Sequence, residues 1–304
     1  LRGEVLNIAP AAGVDLLLVV HRNHTVAAID RPSKVVASAH WNLDPPLPLS
    51  DLEERWIRPL CDLILFATRS QSYLASLNVT PDPEVPGAIK IFQAADPRPR
   101  ETPRVYALAL NLADHPDPAG LVRSWFELRR RVGPVWGLFF SALDRSDSLL
   151  EDRLLGLLAF AEGYDRAMRT EVPLSEAEEK VAKAAIKKAL PDKRVRAVYR
   201  AAVNHANTKT LRERLAFLIE RATSVLDAWD LDSALLRDQL YETRNWMIHW
   251  GERGVHVVDE TAAMVLLVRR LIVVLYVNLL LDLGLDEEAA ARVIGSGWRL
   301  EGLP

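Results

Sequence analysis

Cysteine is nearly absent from this chain. Cys61 is the single one in 304 residues, which excludes an internal disulfide and a cysteine-rich zinc site and points to a reducing cytoplasm. An excess of one charge is lacking too: 38 Lys and Arg stand against 41 Asp and Glu, for a formal net charge of -3. Any affinity for nucleic acid must therefore come from a local patch and not from the mean field. There is no phosphate-binding glycine loop, no Gly-x-Ser-x-Gly elbow and no His-Glu-x-x-His, which leaves nucleotide hydrolysis, esterase and metalloprotease chemistry without support. Internal repeats and low-complexity tracts are missing as well. The chain opens at Leu1 without a basic-then-apolar leader, so a fragment of a longer protein with no signal peptide is expected. Only 262–281 is apolar over the length of a membrane span. Arg269 and Arg270 sit in its middle, and two charges near a bilayer centre cost roughly 5 kcal/mol or more together. A buried helix, with no membrane partner, is the expectation.

At 49% apolar and 26% charged residues, the chain suffices for one large or two ordinary domains. Residues 1–145 hold most of the prolines. Short apolar runs there, at 15–20 and 90–92, alternate with connections such as Asp44-Pro45-Pro46 and Asp96-Pro97-Arg98-Pro99. The texture is mixed α/β, interrupted by helical patterns at 49–67 and at 118–131, where Leu121, Trp125 and Leu128 mark one face. From 146 to 304 the pattern is of long helices: 149–169, 175–190, 193–204, 210–227, 233–250 and 261–283. Ser175 followed by Glu178 is a capping-box pair, and Gly251 and Gly254 supply stops after Trp250. The expected fold class is α+β, a mixed α/β domain over 1–145 followed by an all-α helical bundle over 146–304.

The densest chemistry lies in Thr243-Arg244-Asn245-Trp246-Met247-Ile248-His249. Arg supplies a permanent forked cation for a phosphate, His moves a proton near neutral pH, and Asn can orient either. Leu236, Leu240, Thr243, Met247 and Trp250 repeat at steps of four and three, the seam a bundle helix turns to its neighbours. With Thr243 at zero and about 100° per residue, Asn245 falls near ~200° and His249 near ~240°, opposite that seam. Arg244 falls near ~100°, so an ideal helix does not bring it to His249. The plainer reading makes His249 a helix-terminal cation and pairs Arg244 with Glu242 or Asp238. Trp246 and Trp250 read as packing groups.

Arg244, Asn245 and His249 match the signature of the HEPN superfamily as they stand, and the chain resembles its ApeA-like members, proteins of bacterial antiphage defence. The resemblance extends to Asp152-Arg153-Leu154 through Ala161-Glu162-Gly163-Tyr164-Asp165-Arg166, similar to the family's first HEPN helix. It includes Leu211-Arg212-Glu213-Arg214-Leu215, similar to the helix before the motif, and Ser124-Trp125-Phe126. It implies a cytoplasmic, metal-independent endoribonuclease without cofactor, in which the ribose 2′-hydroxyl attacks the adjacent phosphate. The resemblance makes His249 the general acid or base and Arg244 the partner of the phosphate charge. Asn245 would hold His249 or a phosphate oxygen, and Glu162 would orient Arg244 from the facing helix. One motif offers one proton carrier where the reaction uses two, so a homodimer through the HEPN domain is expected, with residues 1–145 sensing a phage-derived trigger or regulatory partner.

Between Lys180 and Arg221 there are twelve Lys or Arg against Asp192, Glu213 and Glu220. Lys187, Lys188, Lys193, Arg194, Arg196 and Arg200 are the candidate track for RNA phosphates, set against an ordinary solvated face. His21 and His24, with His40 further on, lack the Cys or carboxylate ligands that would complete a metal site. Two other functions remain open: a HEPN-like dimerisation or interaction module without catalysis, and the toxin of a toxin–antitoxin pair.

Overall fold

The computed structural model describes residues 4–11, 14–22, 35–43, 48–68, 77–79, 89–91, 110, 115–144, 148–170, 174–206, 208–249 and 252–297. They belong to two compact units, Leu1–Arg130 with Leu279–Pro304, and Arg131–Asn278.

In the first unit, α1 (Leu49–Leu52) runs through a π-helical turn, Glu53–Ile57, into α2 (Arg58–Thr68). Helix α3 (Pro118–Val132) opens on a proline, whose missing N–H costs nothing at that position, and the Asp117 carboxylate accepts the Gly120 N–H at 2.8 Å. Trp125 locks the two helices together: its indole N–H donates to the Pro59 carbonyl at 2.7 Å and its ring lies 5.5 Å from Phe66. Arg129 and Asp62 pair at 2.7 Å beside them. Burial raises the Asp62 pKa and lowers that of Arg129, and each partner's charge opposes the shift of the other. Helix α12 (Glu287–Gly297) buries Ala290 and Ile294.

Extended backbone is traced at Glu4–Ala11 (β1), Val14–Arg22 (β2) and Val35–Leu43 (β3), antiparallel in that order, and at Leu77–Val79 (β4) against Ile89–Ile91 (β5). The α+β class with a mixed α/β domain over 1–145 is nevertheless corrected. The residues whose side chains are described are 80% helical and include no strand, and every residue of the described core lies on a helix or in a connection. The cause is in the spacing. Leu52, Trp56, Leu60, Leu63 and Ala67 are buried at steps of four and three, as are Leu121, Trp125, Leu128 and Val132, so helix against helix does the burying where proline-rich connections suggest strand–helix alternation.

The second unit starts at a 3-10 turn, Gly133–Val135, with Gly133 at φ 73°. It continues through α4 (Trp136–Asp144), α5 (Leu150–Met168), α6 (Glu176–Ala189), α7 (Lys193–Ala206), α8 (Leu211–Glu220), α9 (Thr223–Asp227), α10 (Ser233–His249) and most of α11 (Thr261–Asp282). Trp136, Phe139, Phe160 and Tyr164 form its aromatic centre, with Phe139 and Phe160 at 4.9 Å and Trp136 and Phe160 at 5.2 Å. Gly163 allows α5 to pass this close, because a Cβ there would lie 2.9 Å from Val135 Cγ1. Helix α11 is long and apolar enough to cross a membrane by length and composition, yet 72% of that stretch is buried inside the protein. Its Asn278 is fully buried and its amide N–H groups donate to the Leu218 and Val274 carbonyls at 2.8 Å each, while its Oδ1 has no hydrogen-bond partner among the described residues.

Candidate functional site

Helix α10 carries the Arg-Asn-His segment, and its first turn is held by Asp232, whose carboxylate accepts the Ala234 and Leu235 N–H groups at 2.8 and 2.9 Å. Leu236, Leu240 and Thr243 are buried and Met247 is half-buried, so the predicted seam faces inward; Trp250 lies outside the described residues. The seam packs on α8 and α5. Asp238 ties α10 to α8 by taking Arg237 at 2.9 Å and Arg212 at 2.7 Å. Those two guanidiniums, Arg237 first, hold its pKa down to about 2.

Helix α8 is opened by a second capping box, Thr210 with Glu213, in which the Thr210 N–H donates to Glu213 at 2.6 Å and the Glu213 N–H to Thr210 Oγ1 at 3.3 Å. This Thr-x-x-Glu signal is as plain in the sequence as the Ser175 box, and a helical pattern drawn over 210–227 overlooks it. A charged network joins α8 to α5. Asp165, 1% exposed, accepts from Arg214 at 2.6 Å and from Arg169 at 2.5 Å. Arg169 also lies 3.7 Å over the Phe217 ring, and Arg214 donates to the Lys209 carbonyl. The chain leaves α5 and returns to α8 at this point, so the network staples the base of the α6–α7 hairpin. Asp165 falls four residues after Ala161 on the buried face of α5. A carboxylate at such a place announces a cation partner, although the sequence does not say which one.

At the other end of α10, the chain that follows the motif is fastened back to it. Glu242 accepts the His256 N–H and Thr243 Oγ1 accepts the Val258 N–H, both at 2.9 Å. Gly254 lies so close to the Glu242 carboxylate that a side chain would collide with it. Thr243 is fully buried and Val257 nearly so, so the 252–260 connection closes over the helix end.

On the face left open, Arg244 is half-buried and donates from Nη1 to Asn245 Oδ1 at 3.1 Å. His249 is exposed and is the last residue of α10. Arg244 and Asn245 are thus brought together, and Arg244 and His249 are not bonded, as the separation of about 140° on an ideal helix dictates. The ion pair of the plainer reading is not formed either. Asp238 is held by Arg237 and Arg212, Glu242 serves the His256 amide, and among the described residues no carboxylate pairs with Arg244. Glu162 does not reach Arg244: it pairs with Arg166 on its own helix at 2.9 Å. Trp246 is half-buried.

The cationic strip divides in two. Arg212 and Arg214 are committed to Asp238 and Asp165. Lys187, Lys188, Lys193, Arg194 and Arg200 are exposed on α6 and α7 with no ion pair among the described residues, and Arg196 is half-buried and donates to the Pro191 carbonyl at 2.9 Å. His21, His24 and His40 lie outside the residues whose side chains are described.

HEPN domains form a class with nuclease-like or RNA-related functions, generally ribonucleases, and commonly dimerise. Residues 155–289 match the family model described as Apea-like HEPN. The matched segment runs from α5 into the start of α12 and contains Arg244, Asn245 and His249. No curated protein and no solved structure matches the chain.

Proposed function

We propose that the chain is a metal-independent endoribonuclease that acts as a cytoplasmic homodimer in antiphage defence of the abortive-infection kind. Residues 1–145 would recognise a phage-derived trigger or regulatory partner, and residues 146–304 would cleave. The observation that carries the reading is Arg244. A half-buried guanidinium that pairs with no carboxylate among the described residues, fixed by Asn245 at 3.1 Å on the open face of a segment that matches the Apea-like HEPN model, has its remaining donors available for the planar oxygens of a phosphate.

In this reading the 2′-hydroxyl oxygen attacks the adjacent phosphorus and the bond to the 5′-oxygen of the next nucleotide breaks. The products are a cyclic phosphate and a free 5′-hydroxyl. Arg244 stabilises the charge that builds on the phosphoryl oxygens, Asn245 orients Arg244, and His249, exposed to substrate, takes or gives a proton. A single chain brings one such histidine, and a second copy of α10 across a two-fold axis supplies the other. Glu162, engaged with Arg166, is left without a part in orienting Arg244. Lys187, Lys188, Lys193, Arg194, Arg196 and Arg200 provide phosphate contacts away from the scissile bond.

The test is cleavage of labelled RNA in EDTA by wild type, Arg244→Ala and His249→Ala, each checked for folding and self-association. Loss of activity by about a hundredfold or more in both variants is expected. Equal behaviour of all three would favour a HEPN-like interaction module.

A further inference from the structure

Helices α6 and α7 account for their place in the fold in an unusual way: they contribute nothing to the core. No residue from 175 to 203 is buried, and their main packing partner among the described elements is each other. The hairpin is nonetheless carefully built. Ser175 and Glu178 form a complete capping box on α6, Asp192 caps α7 by accepting the Arg194 and Val195 N–H groups at 2.8 and 3.0 Å, and the Asp165 network staples the base. Helices of this length gain most of their stability from burying an apolar face, and here that face is left open. Val195, Val198 and Tyr199 are 44%, 66% and 53% exposed. They fall, with Ala202, within about 100° of arc on α7, while the half-buried Arg196 and Val203 mark the side toward α6.

The charges on the helix that carries this stripe have one sign. Helix α7 carries Lys193, Arg194, Arg196 and Arg200 and no carboxylate. On α6, Glu178 is spent on its cap and Glu179 on Lys183, which leaves Glu176, in the first turn, as the one carboxylate of that helix without such a partner among the described residues. We propose that the open face of α7 is the docking surface for a partner protein presenting an acidic amphipathic helix, and that this partner and RNA exclude each other on the hairpin. The second clause rests on the ribonuclease reading; the first does not. An amphipathic helix with acidic flanks meets both halves of the surface, apolar stripe against apolar stripe and carboxylates against the unpaired cations. A second copy of this hairpin would face it with like charge. RNA would use the cations and one stacking ring but leave Val195 and Val198 in water. A lipid surface is anchored by Trp, Phe and Leu, none of which is on α7.

The experiment uses the full chain and measures anisotropy of four labelled probes: a three-heptad helical peptide with Leu at the seam and Glu elsewhere, a scrambled peptide of the same composition, a single-stranded RNA, and phosphatidylserine vesicles. The amphipathic peptide is expected to bind about tenfold or more tighter than the scrambled one and to displace the RNA. The triple variant Val195→Ser, Val198→Ser, Tyr199→Ser, which removes nothing buried, should retain its circular dichroism and its RNA affinity and lose peptide binding by about tenfold or more. Equal binding of the two peptides, or a triple variant that still takes the peptide, overturns the proposal. Selective loss of RNA or of vesicle binding in that variant overturns it in favour of RNA or membrane. Peptide discrimination in a protein that cleaves no RNA leaves the docking surface standing and removes the ribonuclease reading.

Discussion

Helices α8 and α10 and helices α6 and α7 belong to one unit and are opened by the same devices. Capping boxes start α6 and α8, and Asp192 and Asp232 do the same service for α7 and α10. Their fates differ in what lies across from them. Leu215, Leu218, Leu236 and Leu240 are buried to 2% exposure or less, whereas Val181 and Val198 stand 69% and 66% exposed. Local signals form a helix; the neighbours decide whether its apolar face becomes core or surface. The pair that carries the Arg-Asn-His segment is rigidified by burial and crossed by ion pairs, and the pair that carries the free cations is held only at its root.

The sharpest way to break this contrast is at that root. Asp165→Asn leaves the buried Arg214 and its neighbour Arg169 without their carboxylate, and loss of a partner from a buried ion pair costs about 3–5 kcal/mol. A urea-midpoint shift of that size is expected, and an unchanged midpoint would mean that the network is not needed for the bundle. Next comes a matched truncation. Leu240→Ala should lower stability by about 2–5 kcal/mol, and Val198→Ala should change it by less than about 0.5 kcal/mol; similar losses in the two would erase the distinction between core and surface pairs. Thr243→Val keeps the volume and removes the acceptor of the Val258 N–H, at about 1–3 kcal/mol for a buried amide left unpaired. Its signature is faster amide exchange confined to 252–260.

The smallest effect is the response to acid. Asp238 is held at about 2, first by Arg237 and then by Arg212. A carboxyl lowered in the folded state contributes stability that is fully present above its unfolded pKa near ~4 and is lost as pH falls toward 2. The difference in urea midpoint between wild type and Asp238→Asn should therefore be constant at neutral pH and shrink between about pH 4 and 2. Asp192, lowered by the Val195 and Arg194 amides, and Glu178, lowered by Ser175, predict loss of α6 and α7 helicity in the same direction. A midpoint difference that grew on acidification would contradict the Asp238 ion pairs.

Features decided within one or two turns are legible in the residues alone. The α10 seam, the Ser175–Glu178 box and the separation of Arg244 from His249 all follow from helical geometry and adjacent side chains. Features that depend on distant pairing are not. Arg214 finds Asp165 across 49 positions and Asn278 reaches Leu218 across 60, and nothing local distinguishes those cations and amides from surface ones. Glu162 is the instructive case: its neighbour four residues on, Arg166, is the nearer cation, and an i,i+4 pair on one helix forms without the cost of bringing two elements together. The α/β reading of the first 145 residues fails where punctuation by proline is weighed above the three-and-four spacing of Leu52 to Ala67. For the Lys180–Arg221 strip, charge counting cannot tell Arg214, buried, from Arg200, exposed.

Gly163 carries a consequence for how this protein can vary over descent. A methyl group at 163 would meet Val135 at 2.9 Å, and Val135 is β-branched, with little freedom to turn aside. Alanine at 163 is therefore expected to be inherited only together with a smaller residue at 135, so the two positions, 28 apart in the chain, should change as one heritable unit.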